Sequence, residues 1–349
     1  MTKPSENLVG LTLSDEWVIK SMRAKMPKGS GGNFSTGYNV VDSNGNSGFL
    51  KAIDLSDALT SSDVLQALSV LLDAVNHERQ ILAECREKRF DRIATSIHEE
   101  TIPMGHNGFS VPVPCFIFDA ALSDVRDFLN LQKSLSHSRI CFMMHQASLG
   151  LSQLHSIKVA HQDLKPSNVL VFANRDMKIA DLGRSSKAGK STALDEQPVA
   201  GDTGYSPPEL LYGRRLPDWN DRRLSTDLYM LGGLLTYFLT QQSMTSLVFS
   251  RLDSGLWPGK CDFDTVLPAW RHHFGVILNE IEDELRPELD SRTLSGLMNT
   301  LNYLCEPDPE LRGHPLERSE NQNQHDLRRF VSEFEFLSRR IDLLTVNGV

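Results

Sequence analysis

The sequence predicts an α+β fold, with strands and one long helix in the first third and helices over most of the rest. Three observations carry this. Between Trp17 and Ala121, short strand-like runs flank a helical repeat over residues 63–89. From residue 138 onward, apolar residues recur at helical spacing over several long stretches. Within that region Val169-Leu170-Val171-Phe172 and Met177-Lys178-Ile179-Ala180 are separated by Ala173-Asn174-Arg175-Asp176 and read as a β-hairpin.

The chain has 349 residues, enough for one large or two modest domains. Its 40% apolar and 23% charged content suits a globular protein. A formal net charge of −9 argues against non-specific attraction to nucleic acid or acidic membranes. Five scattered cysteines, with no C-x-x-C pair, suit reduced thiols in a cytoplasm rather than a disulfide framework or zinc site. No long apolar region follows Met1-Thr2-Lys3-Pro4, and Met230 to Leu239 is too short to span a bilayer. A cytoplasmic protein with no membrane or nucleic-acid partner is therefore expected.

Taken in order, residues 1–14 read as a loose leader and strand character begins at Trp17. Lys28-Gly29-Ser30-Gly31-Gly32-Asn33-Phe34-Ser35-Thr36-Gly37-Tyr38 is glycine-dense. Such a loop lets backbone N–H groups approach phosphates, although turn glycines between strands give the same pattern. In Gly48-Phe49-Leu50-Lys51-Ala52-Ile53, a period of two puts Phe49 and Lys51 on one face. The helix over 63–89 starts at a cap, Asp63 with Gln66, and carries Glu78 and Leu82 on one face. Residues 93–121 read as two further strands. Residues 138–155 are apolar all round and read as a buried helix.

That helix leads into His161-Gln162-Asp163-Leu164-Lys165-Pro166-Ser167-Asn168, and the hairpin folds this loop back beside Asp181. The chemistry suits phosphoryl transfer, which needs a positioned nucleophile and cations more than covalent help. Asp163 can accept a hydroxyl proton, and Lys165 can sit against the transferred phosphate. Asp181 and the amide oxygen of Asn168 are hard ligands suited to Mg²⁺.

His161 to Asn168 resembles the catalytic loop of eukaryotic-type protein kinases, and Asp181-Leu182-Gly183 resembles their D-F-G magnesium motif. Lys51 resembles the β3 lysine that grips the nucleotide phosphates, and Glu78 the helix αC glutamate that pairs with it. Gly29, Gly31 and Gly32 fall in the phosphate-covering loop. Cys115 to Ala121 resembles the inter-lobe hinge, with Phe118 at the gate of the adenine pocket and backbone groups of Asp119 and Ala121 on the adenine edge. Gly201-Asp202-Thr203-Gly204-Tyr205-Ser206-Pro207-Pro208-Glu209 resembles G-T-x-x-Y-x-A-P-E. Glu209 is expected to pair with Arg312, Asp227 to anchor the catalytic-loop backbone, and His161 to pack in the core.

The resemblance covers roughly residues 17–315 and implies a bilobal fold. A β-rich N-lobe with helix αC (15–121) would follow the leader, then a mainly helical C-lobe (122–349) ending in a helix, with ATP and Mg²⁺ between. It implies transfer of phosphate to serine or threonine hydroxyls of a protein substrate, since Lys165 is typical of the serine/threonine version. The glycine-dense loop, Pro207-Pro208-Glu209 and Gln162 resemble bacterial members.

The departures are specific. The glycine loop has one extra residue, with Ser35 at the third glycine position. Gly37 stands where the family has an apolar residue over the adenine, and Phe49 where it has a small alanine. The missing side chain at Gly37 is expected to make room for Phe49. Asp202 stands where a threonine is common and Thr203 comes one residue late, so the threonine bridge to Asp163 and Lys165 is not expected. Gln162 replaces the arginine that meets a phosphorylated activation segment, so phosphorylation at Ser185, Ser186, Ser191, Thr192 or Thr203 is not expected to be the main switch. Two other readings stay open: a pseudokinase, favoured by Ser35, Gly37 and Phe49, and a small-molecule phosphotransferase of the aminoglycoside type, which generally lacks the activation segment.

Overall fold

The computed structural model describes residues 3–24, 35–106, 108–132, 134–173, 176–190, 197, 199, 201–321 and 323–346. The smaller lobe is built on an antiparallel five-stranded sheet, ordered β1-β2-β3-β5-β4. Its strands are β1 (Val18–Met22), β2 (Ser35–Val41), β3 (Ser47–Ile53), β4 (Ser96–His106) and β5 (Phe109–Asp119). Between β3 and β4 runs the helix α1 (Val64–Glu87), whose cap is Asp63 accepting from the Gln66 N–H at 3.0 Å. Alternation sorts the sheet's two faces. Tyr38, Val40, Leu50, Ala52, Val113 and Ile117 bury one face, while Phe49, Lys51 and Phe118 are only partly buried.

One expectation changes here. Residues 3–14 are not loose. Leu8 and Leu13 complete the apolar face of the sheet, Ser5 donates to Asp54 Oδ2 at 3.0 Å, and the Tyr38 hydroxyl donates to the Ser5 carbonyl at 2.5 Å. Two apolar residues five apart give no periodic signal, so this docking is invisible locally. The apolar residues of α1 are not all inward: the buried ones run from Val75 onward, with Ile81 and Leu82, whereas Leu65 is 82% exposed and Leu72 41%.

The second lobe is mainly helical. Its elements are β6 (Ser123–Asp124), α2 (Val125–Leu131), α3 (His137–Ser156), β7 (Val159–Ala160), β8 (Val169–Val171), β9 (Met177–Ile179), β10 (Ser186–Lys187), α4 (Pro208–Leu211), α5 (Ser225–Thr240), α6 (Met244–Phe249), α7 (Phe263–Leu285), α8 (Ser291–Cys305) and α9 (Arg328–Val346). Side-chain caps start several of them: Asp124, Ser136, Ser243, Asp262 and Asp290 each accept a backbone N–H from the first turn. After α8 comes a helical turn at Glu317–Asn321. Glu317 there is buried and accepts from Arg329 at 2.6 Å. The core of this lobe runs from α3, α5, α7, α8 and α9 through Leu164 and Leu182 to Leu82 and Ile81 of α1. The helix of the small lobe is thus packed into the same apolar cluster as the large one.

Candidate active site

The hairpin of β8 and β9 pairs Val169 with Ile179, Leu170 with Lys178 and Val171 with Met177. This register brings its outer ends together, and the Ala180 N–H donates to the Asn168 carbonyl at 2.9 Å. Asn168 and Asp181 are therefore neighbours across the strand ends.

Within the loop, Lys165 Nζ donates to both carboxylate oxygens of Asp163, at 3.1 and 3.0 Å. Asn168 Nδ2 donates to the Asp163 carbonyl at 2.8 Å and to its Oδ2 at 3.1 Å. The amide nitrogen of Asn168 is thus committed to Asp163, and its oxygen is the atom left for a cation. His161 is fully buried. Its Nδ1 accepts the Asp163 N–H at 3.2 Å and its Nε2 bonds the Ala180 carbonyl at 3.0 Å. A carbonyl only accepts, so the ring proton sits on Nε2. Both nitrogens are occupied in holding the loop, as the packing role expects.

The backbone around these groups is held in unusual conformations. Gln162 has φ 66° and Asp181 φ 62°, left-handed for residues that carry a Cβ. Asp227, fully buried at the start of α5, stabilises the first. Its Oδ2 accepts the His161 N–H at 2.7 Å and its Oδ1 the Gln162 N–H at 2.8 Å. His155 Nε2 bonds the same carboxylate at 2.9 Å.

From the small lobe, Lys51 Nζ reaches Glu78 at 2.8 and 3.1 Å and Asp181 Oδ1 at 2.9 Å. One ammonium thus ties β3, α1 and the strand end after β9. Burial alone would pull the Lys51 pKa down, but the charges of Asp181 and Glu78 outweigh it and raise it. The same ammonium holds the Asp181 carboxyl down at about 2.

Phe118 and Asp119 end β5, and Ala121 follows on the link to β6. The Phe118 ring stands 6.5 Å from that of Phe49. Phe49 in turn fills the space over Gly37, where a Cβ would lie 2.8 Å from Phe49 Cε2. Gly29, Gly31 and Gly32 lie outside the described residues, as do Ser191 and Thr192. The Glu209–Arg312 pair is bidentate at 2.6 and 2.9 Å, both side chains buried.

Three residues join the site without having been assigned to it from the sequence. The Asp202 N–H donates to Asp163 Oδ1 at 2.8 Å, and Asp202 Oδ2 lies 3.6 Å from Lys165 Nζ. The bridge that a threonine makes in the family is made here by an aspartate, while Thr203 is exposed. Gly201 permits this approach: a Cβ there would stand 2.3 Å from the Gln162 carbonyl and 2.7 Å from Asp163 Oδ1. The Asp-for-Thr replacement was the available signal for Asp202. Arg23 had none; its guanidinium lies over the Phe49 ring at 4.8 Å, a contact set only by the pairing of β1 with β2.

A sheet-and-helix lobe joined through a lysine–glutamate–aspartate triad to a loop of Asp, Lys and Asn defines the class. The family model for the protein kinase domain matches residues 28–253, well over half of the chain, and the chain belongs to that family. Among its relatives, mitogen-activated protein kinase 5 of Oryza sativa subsp. indica is 30% identical over 122 residues, 35% of this chain and 31% of that protein. An Aurora kinase of Debaryomyces hansenii is 28% identical over 111 residues, 32% of this chain and 26% of that protein. The serine/threonine-protein kinase drp72 of Corynebacterium efficiens is 28% identical over 173 residues, 48% of this chain and 32% of that protein. The matched part thus spans about a third of these relatives' length. Among the described residues, no helix is long and apolar enough to cross a membrane.

Proposed function

We propose that this chain transfers the γ-phosphoryl group of Mg-ATP to serine or threonine hydroxyls of protein substrates. Asp163 would accept the hydroxyl proton and Lys165 would meet the transferred phosphate. Lys51, fixed by Glu78, would hold the nucleotide phosphates under Gly29, Gly31 and Gly32. Phe118 would border the base, and backbone groups of Asp119 and Ala121 would bond its edge. The observation that carries this reading is the Ala180–Asn168 bond at 2.9 Å, which sets the Asp163 loop beside Asp181.

The donor set fits magnesium. Asn168 offers an amide oxygen and Asp181 a carboxylate whose other oxygen is on Lys51, both hard ligands. Mg²⁺ takes one or two carboxylates plus substrate phosphates rather than an all-protein cage. Among the described residues no three or more His, Cys, Asp or Glu side chains cluster to form such a cage. The bound ion would neutralise charge developing on the transferred group.

The lobes would divide after Ala121, with the nucleotide between 15–121 and 122–349. A bacterial and cytoplasmic setting belongs to the same reading. Gln162 and Pro207-Pro208-Glu209 support the first, and free cysteines, four of them buried, the second.

Incubation with γ-labelled ATP and Mg²⁺, with protein and aminoglycoside acceptors in parallel, tests the proposal. Label should appear on serine or threonine and fall by about 10²–10⁴-fold in Asp163→Asn, the usual weight of a positioned base. Equal labelling by that variant, or labelling of the aminoglycoside instead, would overturn it.

A further inference from the structure

Asp202 is held in a tight turn beside Asp163. Its N–H donates to Asp163 Oδ1 at 2.8 Å, and its Oδ1 accepts the Gly204 N–H at 2.9 Å. Its carbonyl accepts from the Tyr205 N–H at 3.0 Å and the Ser206 hydroxyl at 2.9 Å. The turn leaves the other carboxylate oxygen, Oδ2, 3.6 Å from Lys165 Nζ. Among the described residues, three are hydrogen-bonded to the Asp163 carboxylate: Lys165, Asn168 and Asp202. Lys165 and Asn168 are buried, whereas the Asp202 side chain is 22% exposed. An acceptor hydroxyl reaches Asp163 from water, and Asp202 is the partner of Asp163 that borders water.

The charges at this point do not balance. Lys165 pairs with Asp163 at 3.0 Å and also with Asp202, so two carboxylates share one ammonium. The threonine common at this position would leave that ammonium with one. Once Lys165 meets the transferred phosphate, its charge is drawn away from both carboxylates. Asp163 then has the acceptor hydroxyl, while Asp202 keeps only the Gly204 N–H. A cation carried by the acceptor itself would complete the balance.

We propose that Asp202 is a specificity-determining residue. Its carboxylate favours acceptor segments with arginine or lysine beside the reacting serine or threonine and disfavours those with an acidic residue there. Consecutive residues are about 3.8 Å apart, so a long basic side chain next to the acceptor has the reach. The effect on turnover rests on the phosphotransfer reading above; the recognition of a basic segment is measurable without it.

The test uses peptides that differ only in the residue beside the serine, Arg, Gln or Glu, with the full chain as wild type, Asp202→Asn, Asp202→Thr and Asp202→Glu. Asn keeps an acceptor for the Gly204 N–H and the backbone bond to Asp163, and removes the charge alone. In the wild type, kcat/KM should favour Arg over Gln about fivefold and Gln over Glu by about as much, the upper range for an ion pair open to water, and both ratios should shrink between about 50 and about 300 mM salt. Asp202→Asn and Asp202→Thr should bring the three peptides within about twofold of one another, and Asp202→Glu should keep their order. A residue that only shapes the turn would change turnover of all three peptides alike. That result, a wild type indifferent to the neighbouring charge, or a preference that survives both neutral variants overturns the inference. Fluorescent peptides with alanine for the serine, bound in the presence of Mg²⁺ and a non-hydrolysable ATP analogue, separate the two readings. If none of the proteins phosphorylates any peptide, the phosphotransfer reading fails and binding decides the recognition alone. Tighter wild-type binding of the Arg peptide, lost in Asp202→Asn, upholds it, and equal binding refutes it.

Discussion

Glu209 and Arg312 form an ion pair from which water is excluded, 2% and 0% exposed and joined at 2.6 and 2.9 Å. The guanidinium also donates to Ser225 Oγ at 2.9 Å and the Glu306 carbonyl at 2.8 Å, and lies over the Tyr229 ring at 4.9 Å. With its donors this fully engaged, removing one partner strands the other's charge in the interior. Arg312→Met should therefore destabilise the protein by about 3–5 kcal/mol, read as a fall in the urea midpoint at unchanged slope. Glu209→Gln, which keeps an acceptor and strands only the cation, belongs in the same range; a loss below about 1 kcal/mol in either would mean that water reaches the pair. The partners are 103 positions apart, yet both were legible, because each lies in a short recognisable run. What no run displayed was Arg312's hold on Ser225 and Glu306, which belongs to the packing of α5 and α8.

At the scale of elements, β2 and β3 decide the shape of the sheet face that carries Lys51. Gly37 pairs with Lys51 and Asn39 with Phe49, so Gly37 and Phe49 are diagonal neighbours on one face. A Cβ at 37 would lie 2.8 Å from the Phe49 ring, and Arg23 covers that ring at 4.8 Å. Gly37→Val should push Phe49 toward Phe118 and weaken ATP binding about tenfold; adding Phe49→Ala should relieve it, with a coupling of about 1 kcal/mol or more in a double-mutant cycle. Titration calorimetry on the four proteins measures this, and additivity would show that the two residues do not compete for space. The size exchange could be read from the residue types. The lid of Arg23 could not, because it depends on how β1 lies against β2, where the register shifts between Ile19 and Ser21.

At the scale of the molecule, Lys51 is one of the polar links between the lobes, and the one that joins three charges. Its ammonium joins Glu78 and Asp181, and the signs of the two shifts fix a pH window. Asp181 is lowered by Lys51, so its contribution is complete above the ordinary value of 3.8 and is lost as pH falls through about 2. Lys51 is raised, so its contribution is complete below the ordinary value of 10.5 and is lost as pH climbs above it. The Asp181 side chain is 38% exposed, so solvent screens part of the effect. The stability difference between wild type and Lys51→Met should hold level from about pH 5 to about pH 10 and shrink on either side. Urea midpoints across that range check it; a difference that stays flat down to pH 2 would place the worth of Lys51 in its packing.

Hydrophobic period, helix caps and the spacing of Asp163, Asn168 and Asp181 are local properties, so the fold class and the convergence of those three side chains were legible in the chain alone. It placed Glu78 on the right face of α1, and the hairpin brought its strand ends together. The contacts that cross between elements were set by packing. Residues 3–14 complete the sheet's apolar face, and Asp202 bridges Asp163 and Lys165. Periodicity reports which side of an element turns inward. It does not report what is waiting there, because that depends on chain segments far away in sequence meeting at a few ångströms.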